Sequence, residues 1–305
     1  MVSLTKRILT AIAAVITITA MTATMYTTIH ADEPVADVYY DNEGFINRNI
    51  LILLYHDLSE GELKPTDDQA YCTTDIKFEK DIIDLLGAGY ESLSLEHYAS
   101  GDYDQGKKYF IITFDDGYLS NYTLAYPLLC KHNVYADIFI CTENTTLPNH
   151  FGYAQAREME NSGLVKIYSH MTKHINCTSM DLDSFIRETE RAYRYIDKRI
   201  SNDRLAMFAY PYSLCSRDNI KTLYESGTVL QFVQVPPDDL YEFDYAGYGL
   251  RMRINVEHST DMAALTAAYS GKADISLEDE LIGEVELIES VPVNDVFDFT
   301  IDDEE

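Results

Sequence analysis

The chain has 305 residues, 46% of them hydrophobic, which is ample for a sizeable core and too many for a disordered protein. Its formal charge of -28, from 51 acidic against 23 basic residues, excludes nucleic acid as a partner, because such binders need a basic surface. It also excludes simple electrostatic docking on anionic lipid or anionic polymers, and leaves a neutral substrate unhindered.

Residues 1–31 read as a signal peptide or signal anchor. Lys6 and Arg7 precede an uncharged run from Ile8 to Ile29, and Ala31, followed by Asp32 and Glu33, fits a cleavage residue. The run is also long enough to cross a bilayer, and this anchor is the one membrane contact the sequence suggests. Either reading places the domain outside the cell, secreted or held at the outer face of the cytoplasmic membrane. Residues 32–48 are polar and aperiodic, hence a linker. The first core strand is Asn49–His56, a continuous apolar run suited to a parallel sheet covered on both faces. An amphipathic helix over Ile76–Leu86, capped by Thr74 or Asp75, leads to a strand over Tyr90–Leu95.

The next strand, Tyr109–Phe114, ends in Asp115, Asp116 and Gly117. The chain turns there, so both carboxylates reach one pocket, where burial and mutual repulsion favour a cation. The bland alternative is a solvated turn that caps the following helix, which starts at Ser120 and ends near Cys130. Strand Val134–Ile140, helix Ala154–Asn161 and strand Leu164–Tyr168 come next. That last strand runs into His170 and His174, whose spacing puts both imidazoles on one side of a helical turn. With a carboxylate from another strand they form a three-ligand set, the pattern of a catalytic divalent metal.

Helix Asp181–Ile200, strand Leu205–Tyr210, helix Asp218–Ser226, and strands Thr228–Val233 and Tyr248–Asn255 complete the pattern, with a last helix over 259–268. Residues 271–305 form an acidic tail or a short edge extension. The five cysteines are an odd number for an exported chain; Cys177 and Cys215 are candidates for a bridge, Cys130 and Cys141 for buried thiols. Repeated strand–helix units imply an α/β fold of parallel strands with right-handed crossovers, and seven or eight strands favour a barrel. His56, Asp115, Asp116, His170 and Tyr212 each follow a predicted strand, where barrel active sites lie.

Three motifs in order carry a resemblance: Thr113-Phe-Asp-Asp-Gly-Tyr118, then Ser169-His170 with His174, then Phe208-Ala-Tyr-Pro-Tyr212. Together they resemble the polysaccharide deacetylases, the NodB-homology domain of carbohydrate esterase family 4. Tyr55-His56 and the Ser120–Leu129 segment are most similar to the branch acting on extracellular poly-N-acetylglucosamine. The resemblance implies a distorted (β/α) barrel over residues 49–270, working as a monomer on an N-acetylated polysaccharide (poly-N-acetylglucosamine, peptidoglycan or chitin-like). Asp116, His170 and His174 would hold one divalent metal ion, zinc first, with cobalt, nickel or manganese as alternatives. Asp115 would be the general base and the Tyr212 N–H the oxyanion donor. His56 is preferred to His258 as proton donor, and Tyr55, Tyr118, Pro211 and Tyr212 would contact substrate. An O-acetyl (xylan) esterase and an inactive carbohydrate-binding relative are the alternatives. The chain departs from the family in having Ala209 where an arginine is often found, Ser213 for a glycine, and no tryptophan.

Overall fold

The computed structural model describes residues 49–234 and 244–270; the expected signal segment, linker and acidic tail lie outside them. Strand β1 (Ile50–Tyr55) is buried throughout and pairs in parallel with β5 (Lys108–Asp116). From β5 the sheet runs through β6 (Ala136–Ile140), β7 (Val165–Ser169), β8 (Met207–Ala209) and β9 (Leu230–Val233) to β10 (Leu250–Met252), every pair parallel. On the other side of β1 lies β11 (Ile254–Asn255), so the path is β10-β9-β8-β7-β6-β5-β1-β11. Its two ends are consecutive in sequence, joined at Arg253, whose N–H bonds to the Val233 carbonyl at 2.8 Å. The mostly parallel sheet thus nearly closes into a barrel of eight strands with helices around it. A short strand β4 (Tyr90–Ser92) adds to β5, and β2 (Asp57–Ser59) pairs with β3 (Cys72–Thr74) as a separate ribbon.

Alternation along the strands sorts two layers. Leu51, Leu53, Phe110, Ile112, Ile138 and Ile167 face outward, against Phe78, Ile82 and Leu85 of helix α1 (Asp75–Gly87) and residues of the later helices. Ile52, Ile111, Phe139, Tyr168, Ala209 and Phe232 face the lumen. Leu95 and Tyr98 join that inner cluster from α2 (Leu95–Ser100), which plugs the base of the barrel. Helices α3 (Tyr126–His132), α4 (Tyr153–Asn161), α5 (Leu182–Arg199), α6 (Arg217–Glu225) and α7 (Met262–Ser270) alternate with the strands as the apolar periodicity predicts.

Four expectations need correcting. The predicted strand Tyr90–Leu95 stops at Ser92, because Ser94 accepts the His97 N–H and caps α2 instead. Tyr248–Asn255 is two strands broken at Arg253, not one. Cys130 is exposed, whereas Cys141 is buried as expected. No disulfide joins Cys177 to Cys215; the Cys177 Sγ lies 3.3 Å from the Met171 sulfur. Among the described residues no helix is long and apolar enough to cross a membrane.

Candidate active site

At the end of β5 the backbone turns into the left-handed region at Asp116 (φ 70°) and again at Gly117 (φ 79°). A short polar residue tolerates that conformation, and a glycine costs nothing there. A Cβ on Gly117 would lie 2.9 Å from the Ile140 Cγ2, so β6 approaches too closely for any larger residue. The turn swings Asp116 toward the end of β7. Asp116 Oδ1 lies 3.8 Å from His170 Nε2 and 3.7 Å from His174 Nε2, and the three donor atoms all lie within 4.8 Å of one another.

The histidines converge by a route the sequence did not suggest. Residues 170–176 form no helix; Met171 takes a left-handed conformation (φ 71°) and the loop folds back on itself. The Thr142 and Glu143 N–H groups bond to the Met171 and Thr172 carbonyls, and the Thr172 hydroxyl donates to Glu188 on α5 at 2.5 Å. His170 Nδ1 lies 2.8 Å from the Ala209 carbonyl. A carbonyl only accepts, so Nδ1 carries the proton and Nε2 turns its lone pair toward Asp116. Burial lowers the pKa of both imidazoles, against the pull of Asp115, keeping them in the neutral form that binds metals. Burial also raises Asp116, with Asp115 adding to the effect. One carboxylate oxygen and two imidazole nitrogens, that of His170 with its tautomer fixed, fit a divalent ion of the zinc class.

Asp115 is different. It is 3% exposed, its Oδ2 is 3.9 Å from His170 Nε2, and Arg253 grips it with two charge-assisted bonds, Nη1 to Oδ1 at 2.7 Å and Nη2 to Oδ2 at 2.6 Å. Burial alone would raise this carboxyl, but Arg253 and the neighbouring imidazoles outweigh it and hold the pKa at about 2. Arg253 is itself clamped, its guanidinium 5.3 Å from the Phe139 ring and 5.7 Å from that of Phe232. Sequence reasoning missed this arginine. The signal was there: Arg251 and Arg253 alternate with apolar residues in a predicted strand, and a strand cation turned toward the interior is rarely buried without a partner.

Tyr212 sits in the turn Pro211–Ser213, with φ of 58° at Tyr212 and 57° at Ser213, and its ring meets His174 edge-on at 4.2 Å. The left-handed φ at Ser213 explains in physical terms why a glycine suits that position. His56 follows β1, its ring edge-on to Tyr71 at 5.0 Å, and burial lowers its pKa to about 4. His258 lies elsewhere, with Nδ1 3.2 Å from the Thr73 hydroxyl and its N–H on the Gln69 carbonyl. Tyr118 is half-buried beside the site, stacked on His150 at 5.1 Å.

Two expected substrate contacts do not hold. Tyr55 is 1% exposed and faces outward, donating its hydroxyl to Asp81 on α1 at 3.2 Å and packing on Phe78, so it cannot touch substrate. Pro211 is buried beneath its turn and offers no surface.

Comparison with known proteins matches residues 102–229 to the polysaccharide deacetylase family, a span that includes Asp115, Asp116, His170, His174 and Tyr212. Over that span the chain is similar to the polysaccharide deacetylases. It is similar to YxkH of Bacillus subtilis (strain 168), assigned to the polysaccharide deacetylases, with 26% identity over 179 residues, 58% of this chain. The match covers 61% of that relative's length. Three solved structures share this fold. The Streptococcus pyogenes deacetylase PplD, in complex with acetate, superposes with a TM-score of 0.62 at 20% identity, covering 72% of this chain and 96% of that one. The de-N-acetylase from Aggregatibacter actinomycetemcomitans gives 0.58 at 19% identity, over 72% and 98%. IcaB from Ammonifex degensii gives 0.56 at 20% identity, over 73% and 97%. His56 and Arg253 fall outside the family match, though both lie beside Asp115 in space.

Proposed function

We propose that this chain is an exported, metal-dependent polysaccharide deacetylase that hydrolyses N-acetyl groups of N-acetylglucosamine-containing glycans. The observation that carries the reading is the set Asp116, His170 and His174, beside an ionised Asp115, at the mouth of a deacetylase-family barrel. A zinc-class ion held by those three residues supplies Lewis acidity toward a carbonyl oxygen and a water.

The protein's own groups do the rest. Asp115, kept ionised by Arg253, takes a proton from the attacking water. The Tyr212 N–H, presented by the left-handed turn, donates to the oxygen on which negative charge develops. Burial disfavours the charged form of His56, and a neutral imidazole, though it keeps one ring N–H, is too weak an acid to protonate an amine near pH 7. The proton for the departing amine is therefore the one Asp115 has just taken, and His56 serves as a neutral wall of the pocket. The Thr172–Glu188 bond and the Ala209 carbonyl hold the two imidazoles in register for the cycle.

Acetate release from penta-N-acetylchitopentaose and from acetylated xylan tests this, with and without a chelator. Release from the chitin oligomer, abolished by chelation and restored by zinc, is expected. Release from xylan alone points to an O-acetyl esterase, and release that survives full metal removal sinks the reading. Asp115→Asn should retain metal and lose about 10²-fold or more in turnover, whereas Asp116→Asn should lose the metal itself.

A further inference from the structure

The mouth carries a second exposed aromatic ring. Tyr71, just before β3, is 46% exposed, and Tyr212 is 56% exposed. Neither lies there by default. The Tyr71 backbone is fixed on both sides, its N–H on the Asp68 carbonyl and its own carbonyl accepting the Asp57 N–H, each at 3.0 Å. Its ring meets His56 at an interplanar angle of 81°, a perpendicular contact that occupies one side and leaves the rest open. His56 in turn lies within the electrostatic reach of Asp115, His170 and His174.

The sheet order decides where the two rings stand relative to each other. His56 ends β1 and Tyr212 follows β8, and four steps separate those strands along the eight-strand path. Four of eight steps is half the circuit, so Tyr71 with His56 and Tyr212 with His174 rise on opposite sides of the mouth. Asp115 and Asp116 on β5 and the histidines after β7 lie between them. Aromatic rings offer an apolar face to the C–H face of a pyranose, and a fixed ring with few rotatable bonds loses little freedom on binding.

We infer that Tyr71 is a second wall of the cleft, stacking on the sugar next to the one whose acetyl group is removed. The cleft then takes an interior residue of an unbranched chain between two aromatic walls. This rests on the glycan reading above and extends it to the position of the neighbouring sugar.

The chain has no tryptophan, which makes the test clean. Tyr71→Trp in an Asp115→Asn background places a single indole reporter at the wall, and penta-N-acetylchitopentaose is titrated in. A saturable emission shift is expected, absent from a control Tyr224→Trp on α6, far from the mouth. Tyr71→Ala in the otherwise native enzyme should raise KM for the pentamer by roughly fivefold to tenfold while kcat holds within about twofold, with Tyr71→Phe restoring KM. A silent reporter in a protein whose native form does release acetate from the pentamer overturns the wall and leaves the deacetylase reading standing. A silent reporter with no acetate release from the native form overturns both. Equal loss of kcat and KM effect in the alanine and phenylalanine variants also overturns it, since that pattern marks a merely structural ring.

Discussion

Two aspartates face the same lumen one layer apart, and they sit in opposite protonation states. Asp115, near the mouth, is in register with Phe139, and Asp137, toward the base, is in register with Thr113. Both are almost fully buried, at 3% and 1% exposure. Asp115 has a bidentate guanidinium and is held at about 2. Asp137 has one backbone donor, the Leu95 N–H at 2.9 Å, and burial raises it to about 8. Its Oδ1 has no partner among the described residues. Burial is nearly the same for both, so the difference is made by their neighbours: Arg253 and the imidazoles around Asp115, and one backbone N–H with a nearby Glu96 around Asp137. The lumen thus favours a charged carboxyl at the mouth and a neutral one below.

The sharpest way to break this comparison is to remove the partner. Arg253→Met leaves Asp115 buried and uncompensated, and should cost about 3–5 kcal/mol in urea unfolding at pH 7. Adding Asp115→Leu to that variant should recover much of the loss, because two apolar groups replace a buried pair. A loss below about 1 kcal/mol in the single variant would show that the pair does not govern the mouth.

Asp137 should respond with the opposite sign. Its folded pKa, about 8, is above the ordinary 3.8, so its contribution is full below about pH 4 and is lost as pH rises to about 8. Asp137→Asn removes that dependence. The variant should match the native protein at pH 4 and exceed it by ~1–3 kcal/mol at pH 8, since a tenfold change in proton affinity is worth at most about 1.4 kcal/mol. Parallel stability–pH curves for the two proteins would refute the neutral acid. For Asp115 the contribution is present above about pH 4 and is lost only as pH falls toward about 2.

The smallest effect concerns backbone fit at the two ends. Gly117→Ala meets Ile140 at 2.9 Å in a left-handed conformation, whereas Gly89 at the base (φ 84°) has open space around it. We expect ~2 kcal/mol for the first and ~1 kcal/mol for the second in thermal unfolding, the difference being the clash. Metal stoichiometry should fall only for Gly117→Ala, because Asp116 precedes it. Equal losses would remove the claim that the mouth is the tighter end.

The strands were legible because a parallel sheet covered on both faces is written as unbroken apolar runs. The same continuity hid which way each side chain points. In Ile50–Tyr55 both faces are apolar, so nothing in the run says that Tyr55 faces α1 and the following His56 faces the mouth. The chemistry of His170 and His174 was legible from residue type, but its cause was not, since a left-handed Met171 does what a helical turn was expected to do. Arg253 was hidden for another reason. Its partner lies 138 residues earlier, and only the seam between β10 and β11 brings them together.

That seam has a consequence for the order in which the protein is made. The strands bearing Asp116, His170 and His174 are local in sequence and can pair as they emerge, each after a short crossover. Arg253 arrives only with the last strands, after the long loop from Asp115 has been closed at its entropic cost. Without that cation, burial alone would drive Asp115 toward the neutral form, in which it accepts no proton. A chain ending before β10 would contain Asp116, His170 and His174 but lack the arginine that pairs with Asp115. The Asp115–Arg253 pair is thus the one contact of the mouth described above that waits on the last strands of the sheet.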